Sequence, residues 1–247
     1  MRKIINEEAI IPHFQPIFCL TPFKLLGMEA LSRAQTNSML ASPEMLFKAA
    51  IQYGLYEELE MLCWRKVMQQ INNVCEGYKL FLNCNPYLIE GAHFSTIRSI
   101  LETESFPIGN IVLEITERSA ITDFKAFYEY LKRYRELGVQ LAIDDVGGGY
   151  ASLESIVQTK PDIVKIDRHI IKDIHEDLFK RSIVKLIVGF CRENNIVSIG
   201  EGVETKEELL AIKELGVDAA QGYLLYKPAE HIAKEQVQET EEMFIHL

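Results

Sequence analysis

The sequence predicts an α/β fold, a modified TIM (β/α)8 barrel whose first strand runs antiparallel to the others. Apolar segments suited to about eight strands alternate with helical segments from the third strand onward, a pattern typical of a parallel sheet. The length of 247 residues suits one such barrel. Only about four residues join the first two strands, whereas parallel neighbours need a crossover of a dozen or more, so this pair should be antiparallel.

The first predicted strands are residues 11–20 and 25–33, with a turn at residues 21–24 between them. Ser42 as N-cap and Pro43 at the first helical position then begin a long amphipathic helix. Its apolar face is predicted to carry Leu59, Leu62, Cys63, Val67, Ile71 and Val74.

Strands and helices alternate regularly after that point. Further strands are predicted at residues 79–85, 111–117, 139–146, 163–167, 196–203 and 219–224. Helices are predicted at residues 86–104, 122–137, 150–158, 178–194 and 205–216, and a Glu-rich helix closes the chain. The inward face of the helix at 178–194 is predicted to carry Phe179, Ile183, Leu186, Ile187 and Phe190. An open doubly wound sheet is the runner-up fold, but no phosphate-binding glycine fingerprint follows the first strand.

The composition predicts a single cytoplasmic domain spanning residues 1–247. A net charge of −10 argues against binding to a nucleic-acid polymer or to an anionic membrane surface. The N-terminus lacks the apolar core of a signal peptide, and the longest apolar run, near residues 183–191, is too short to span a membrane. The cysteines lack metal-binding spacing and are expected to be reduced thiols: Cys19, Cys63, Cys75, Cys84 and Cys191.

Two adjacent acids, Asp144 and Asp145, end an apolar strand and precede three glycines. Carboxylates at the end of a buried strand are costly unless they are paired or bind a metal ion. The glycines would allow the backbone to approach a ligand closely. A cation site and an acidic surface turn are therefore both possible from this stretch alone.

The other strands also place polar residues near their carboxyl ends, where barrels of this kind hold their reacting groups. Each residue alone has an ordinary structural explanation, such as a solvated strand end or a turn, but the whole set on one rim favours a functional site. The set is Glu29, Asn83, Glu114, Asp144 with Asp145, Lys165, Glu201 and Gln221.

Carboxylate and amide oxygens are the ligands that suit Mg²⁺ or Mn²⁺. No histidine lies at these strand ends, and the chain has neither a GxSxG elbow nor a Gly-Lys-Ser/Thr phosphate loop. Several converging carboxylates would repel one another without metal ions, whereas two metal ions would form a site for in-line attack on a phosphodiester. Lys165 could stabilise the developing charge or orient the attacking water.

These residues resemble the EAL-domain cyclic di-GMP phosphodiesterases over essentially the whole chain. The matching motifs are FQPI at 14–17, EAL at 29–31 with Arg33, LNCNP at 82–86, EITE at 114–117, DDVG at 144–147, KID at 165–167, EGVET at 201–205 and QGY at 221–223. The resemblance implies a barrel whose first strand is antiparallel, in agreement with the short first connection. It also implies metal-dependent hydrolysis of cyclic di-GMP to linear pGpG, and a homodimer.

The resemblance further implies a role for each matching residue. Glu29, Asn83, Glu114 and Asp144 would hold one Mg²⁺ or Mn²⁺ ion, and Asp144 with Asp145 would reach a second. Lys165 and Gln221 would border the attacking water, Glu201 would be the general base, and Glu117 would anchor the loop after Asp145. The implied substrate contacts are Gln15, Leu31, Arg33, Asp167 and Glu204.

The loop after the acid pair departs from the family pattern. The usual sequence is Asp-Asp-Phe-Gly-Thr-Gly-Tyr-Ser, whereas residues 144–151 read Asp-Asp-Val-Gly-Gly-Gly-Tyr-Ala. Val146 loses aromatic packing and Gly148 loses a hydroxyl, which leaves a second hypothesis of a cyclic di-GMP receptor or interaction module that binds without cleaving. A further sensor or GGDEF domain is expected if the chain is part of a longer protein.

Overall fold

The structure, a computed structural model, describes residues 1–71, 77–90, 93–102, 106–115, 124–148 and 153–246. Eight strands form a closed barrel in chain order. They are β1 (Ile10–Leu20), β2 (Phe23–Ala34), β3 (Lys79–Cys84), β4 (Ile111–Ile115), β5 (Gln140–Val146), β6 (Ile163–Ile166), β7 (Val197–Gly200) and β8 (Ala219–Ala220). β1 is antiparallel to β2 and β8, while every pairing from β2 to β8 is parallel. The predicted fold class is therefore confirmed.

Helices cover the outside of the barrel. In the described residues they are α1 (Arg2–Asn6), α2 (Pro43–Gln52), α3 (Tyr56–Gln70), α4 (Pro86–Glu90), α5 (Phe94–Leu101), α6 (Phe124–Glu136), α7 (Leu153–Thr159), α8 (Arg168–Ile171), α9 (Leu178–Glu193), α10 (Lys206–Glu214) and α11 (Lys234–Phe244). None of these helices combines the length and the apolar character needed to cross a membrane.

The long helix predicted from Pro43 is in fact two helices, α2 and α3. The chain turns between them at Gly54, whose φ of +63° lies in the left-handed region that ends a right-handed helix. The face predicted for α3 is otherwise correct, because Leu59, Leu62, Cys63, Val67 and Ile71 are all buried. Val74 lies outside the described residues. The stretch predicted as one helix at 86–104 likewise contains α4 and α5.

An apolar layer fills the barrel interior directly below the predicted site. It consists of Ile17, Phe81, Val112, Ala142, Ile163, Ile199 and Ala219. Side chains two residues apart on a strand lie on the same face. The residues two positions further toward the rim are Gln15, Asn83, Glu114, Asp144, Lys165, Glu201 and Gln221. The sequence register therefore sets a polar layer on top of an apolar one.

The inward face predicted for α9 is wrong for four of its five residues. Phe179, Ile183, Leu186 and Phe190 are exposed, with Phe179 at 84% and Leu186 at 69%. Ile187 is buried as predicted, in company with Val184, Val188 and Cys191. The helix carries two apolar stripes, and the barrel covers the one that contains the smaller side chains.

Candidate metal centre and flanking cavities

A buried lysine lies at the centre of the polar layer. Lys165, on β6, is fully buried. Its Nζ lies 2.8 Å from Glu114 Oε1, 2.8 Å from Glu201 Oε1, 3.2 Å from Glu29 Oε2 and 3.6 Å from Asp144 Oδ1. One ammonium thus faces carboxylates from β2, β4, β5 and from the end of β7, which confirms that the folded chain brings these strand ends together.

Burial and charge shift the pKa values of this cluster. Burial raises the pKa of Glu114 well above its usual range, and repulsion from Glu29 raises it further. Burial and Asp144 do the same to the pKa of Glu201. Burial alone would lower the pKa of Lys165, but the surrounding carboxylates raise it well above its usual range. The ammonium is therefore charged, and four carboxyl groups share this single positive charge.

Two carboxamides are hydrogen-bonded to Glu29 at the edge of the cluster. Asn83 Nδ2 donates to Glu29 Oε1 at 3.1 Å. Gln221 Nε2 donates to Glu29 Oε2 at 2.6 Å and also to Gln15 Oε1 at 2.9 Å. Glu29 consequently keeps a lowered pKa despite its burial, because Lys165 and these amides favour the ionised form.

The adjacent acids Asp144 and Asp145 reach the same site through an irregularity in β5. The register between β5 and β6 shifts between Ile143 and Val146, and Asp145 has a φ of +57°. Neighbouring strand residues normally face opposite sides, and a bulge with a left-handed residue redirects one of them. Burial, Asp144 and Asp167 raise the pKa of Asp145 to about 6.

The donor set fits a divalent metal ion. Carboxylate oxygens of Asp144, Asp145 and Glu201 all lie within 4.8 Å of one another. Both oxygens of Glu114 are buried without a well-formed hydrogen bond, although Lys165 lies close to one of them. Buried carboxylates that lack hydrogen bonds and exceed the available positive charge are suited to a hard cation.

Two cavities flank this centre. The larger, of about 450 Å³, lies between the barrel and helices α2 and α3, and Glu29, Asn83, Asp144 and Asp145 form its floor. Leu31 and Arg33 line it as well. The smaller, of about 250 Å³, is lined by Gln15, Glu29, Leu31, Asp145, Asp167, Glu201, Glu204 and Gln221. Every described candidate residue thus lines a cavity except Glu114 and Lys165, which lie beneath them. Glu117 lies outside the described residues.

Some cavity residues were not predicted from the sequence as site residues. Arg168 lines the smaller cavity, and its guanidinium lies 2.6 Å from Glu204. Glu60 and Trp64 line the larger cavity from α3. In the sequence of α3, Trp64 resembles a core residue and Glu60 resembles a solvent-exposed acid, so only the folded structure shows that both line this cavity.

A model of the EAL domain family matches residues 1–228. The chain belongs to the EAL domain family. Among its relatives, PdeG of Escherichia coli K12, a probable cyclic di-GMP phosphodiesterase, is 28% identical over 238 residues, which cover 94% of this chain and 47% of PdeG.

The cyclic di-GMP phosphodiesterase PdeA of Borreliella burgdorferi is 32% identical over 231 residues, covering 92% of this chain and 34% of PdeA. This EAL domain therefore spans less than half the length of either relative. The manganese and cyclic di-GMP complex of Klebsiella pneumoniae BlrP1 at pH 6 superposes with a TM-score of 0.82 at 28% identity, over 91% of this chain and 57% of BlrP1.

Proposed function

We propose that this EAL domain hydrolyses one phosphodiester bond of cyclic di-GMP, giving linear pGpG in bacterial second-messenger signalling. The observation that carries the proposal is the buried ring of carboxylates around Lys165, with a cavity on each side. The names of PdeG and PdeA and the cyclic di-GMP bound by BlrP1 support the choice of substrate.

The residues that would hold the metal ions divide into two overlapping sets. Glu29, Asn83, Glu114 and Asp144 would bind one Mg²⁺ or Mn²⁺, and Asp144 with Asp145 would bind a second. Bound ions would polarise the phosphodiester oxygens and make the attacking water more acidic. The manganese in BlrP1 supports a divalent cofactor.

Three side chains of the site would accept the proton, offset the developing charge and orient the attacking water. Glu201 would accept a proton from the attacking water. The water oxygen would bond to phosphorus as the bond between phosphorus and the leaving 3′-oxygen breaks. Lys165, 2.8 Å from Glu201, would fix that carboxylate and offset the negative charge that develops at phosphorus. Gln221 would orient the water from the wall of the smaller cavity.

The two cavities would bind different parts of the nucleotide. Arg33, half-buried at the larger cavity, offers a guanidinium fork that can pair with a phosphate or a guanine edge. Gln15, Asp167 and Glu204 would contact the nucleotide in the smaller cavity. Leu31 lines both cavities and would contact the nucleotide between Arg33 and these three residues.

Hydrolysis of cyclic di-GMP with a series of metal ions tests the proposal directly. Formation of pGpG should require Mg²⁺ or Mn²⁺ and stop when a chelator is added. If the folded protein binds cyclic di-GMP tightly by calorimetry and yields no pGpG with either ion, the receptor hypothesis replaces the enzyme hypothesis. A protein that neither binds nor cleaves the nucleotide would contradict both.

Substitution of Gly148 by alanine tests the role of Asp167. A Cβ at residue 148 would lie 2.8 Å from Asp167 Cγ, and Asp167 is held by a 2.6 Å hydrogen bond from the His169 amide. The substitution should therefore displace a predicted substrate contact and weaken nucleotide binding by about 2- to 12-fold, the value of one hydrogen bond. Calorimetry with cyclic di-GMP measures this, and Gly189→Ala, where a Cβ meets open space, is the matched control. Unchanged affinity in Gly148→Ala would argue against Asp167 as a substrate contact.

We also propose that the domain forms a homodimer through the exposed apolar stripe of α9. The stripe consists of Phe179, Ile183, Leu186 and Phe190, which lie on one helical face at intervals of four, three and four residues. A contiguous exposed patch of large apolar side chains is typical of a protein interface. A second copy of the same stripe would bury these apolar side chains in a two-fold interface.

Leu186→Glu is expected to dissociate this dimer. A two-fold interface contains each substitution twice, and burying unpaired carboxylates is costly, so the dissociation constant should rise by more than about 100-fold. Sedimentation equilibrium measures it, with Lys185→Glu as a control on another face of α9. Equal association of both variants would exclude this stripe as the interface.

We also propose that the domain lies in the cytoplasm. The cysteines of the described residues are unpaired and three of them are buried, which suits a reducing cytoplasm. Because the domain spans less than half of PdeG and PdeA, a sensor or GGDEF domain elsewhere in a longer protein remains a prediction.

A further inference from the structure

Two polar side chains of α3 contact the end of β3, where the predicted metal ligand Asn83 is located. Trp64 Nε1 donates a hydrogen bond to the backbone oxygen of Asn83 at 3.0 Å. Glu60 Oε1 accepts one from the backbone N–H of Asn85 at 2.9 Å. Both side chains are 3% exposed and lie one helical turn apart. The two hydrogen bonds thus hold the end of β3 on either side of Cys84.

These two hydrogen bonds take the place of the pairing that β2 does not provide at the end of β3. Pairing between β2 and β3 ends at Ala30–Leu82, whereas pairing between β3 and β4 continues to Cys84–Ile115. Buried backbone groups need hydrogen-bond partners, and within the described residues no strand pairs with the edge of β3 toward β2 beyond Leu82. Trp64 and Glu60 supply these partners from the wall of the larger cavity.

The bonded segment includes a side chain that belongs to the metal centre. Asn83 lies next to the cavity of about 450 Å³, and its amide reaches Glu29 at 3.1 Å. If the strand end shifted into that cavity, Asn83 would move away from Glu29 and from the other ligands. We infer that Trp64 and Glu60 are positioning residues that hold Asn83 in the metal site. The link between this positioning role and metal binding rests on the proposed function.

Glu60 acts through its acceptor oxygen rather than through its charge. Burial raises the pKa of Glu60 to about 8, so the group is largely neutral at pH 7. A glutamine at this position offers the same acceptor oxygen with a similar shape, whereas leucine offers none. The pair of variants Glu60→Gln and Glu60→Leu therefore separates the hydrogen bond from the packing of the side chain.

The test measures Mn²⁺ binding to the whole chain by calorimetry, without nucleotide. Trp64→Phe keeps an aromatic ring but loses the N–H, and Glu60→Leu loses the acceptor. Both should weaken Mn²⁺ binding by about tenfold, as residues that orient metal ligands do. Glu60→Gln should bind Mn²⁺ within about twofold of the wild type. Leu62→Val, buried on the same helix but outside the cavity, controls for a general loss of stability.

Hydrogen exchange of the Asn85 amide, measured without metal, provides a second readout. Its protection should fall by about tenfold in Glu60→Leu and persist in Glu60→Gln. Unchanged Mn²⁺ affinity in both Trp64→Phe and Glu60→Leu would overturn the inference, as would a wild type that binds no Mn²⁺. A wild type that binds Mn²⁺ but cleaves no cyclic di-GMP, with the variants weakened as expected, would refute only the proposed function.

Discussion

Replacing Glu201 with glutamine is expected to slow hydrolysis of cyclic di-GMP by about 10²- to 10⁴-fold, the usual contribution of a general base. Glutamine has nearly the same size, so the smaller cavity keeps its shape. The amide cannot accept the proton of the attacking water at neutral pH. Cyclic di-GMP binding should be retained, because Glu201 is not among the predicted substrate contacts. Single-turnover formation of pGpG and calorimetry measure the two effects separately.

Glu204→Gln is the matched comparison, since it makes the same chemical change in the same cavity. Glu204 contacts Arg168 and no member of the cluster around Lys165. Its substitution should raise KM and leave most of kcat. A Glu201→Gln variant that turns over at the wild-type rate would assign the base to another group. Equal losses of kcat in both variants would show that the cavity responds to any change of charge.

The strand ends could be predicted from the sequence because a strand repeats every two residues. Val112 and Glu114, or Ile163 and Lys165, must share a face, and a closed barrel brings these faces to one centre. An acid or a lysine that follows such an apolar residue by two positions is therefore predicted at the rim. This local rule does not depend on the helices, which explains why the convergence of these side chains could be predicted from the sequence.

Helix faces were harder to predict, because a 3.6-residue period does not identify the covered side when two apolar stripes overlap. On α9 both Leu186 and Ile187 belong to credible stripes, and only packing against the barrel selects Ile187. On α3, Trp64 resembles a core residue and Glu60 a solvent-exposed acid, so the helical period identifies neither of them as a cavity residue. Their contacts depend on where β2 separates from β3, which is a tertiary feature. The sequence does not reveal the break between α2 and α3 at Gly54, because a glycine within a helical pattern is often tolerated.

Replacing Lys165 with methionine is expected to abolish hydrolysis and to destabilise the metal-free domain by about 3–5 kcal/mol. Methionine fills a similar volume but removes the only positive charge within 4 Å of Glu114, Glu201, Glu29 and Asp144 in the described part of the chain. The carboxylates would remain buried and would repel one another. Chemical denaturation in the presence of a chelator measures the loss, and the exposed Lys185→Met is the control.

The loss of stability in Lys165→Met should increase as the pH rises. Glu114 and Glu201 already have raised pKa values in the folded wild type, and removing the ammonium raises them further. Each group then binds a proton more tightly in the folded state than in the unfolded state. The variant's stability is therefore greatest below the unfolded pKa of about 4.3 and falls as pH rises toward the folded values. The gap between variant and wild type should be wider at pH 8 than at pH 5.

Added Mn²⁺ should narrow that gap, because a cation at the carboxylates offsets the charge that Lys165 no longer supplies. Hydrolysis should not return with stability, since the lost ammonium is also needed beside Glu201 and the developing charge. A variant that recovers both on adding Mn²⁺ would show that Lys165 only balances charge. One whose stability is the same at pH 5 and pH 8 would contradict the electrostatic account of the cluster.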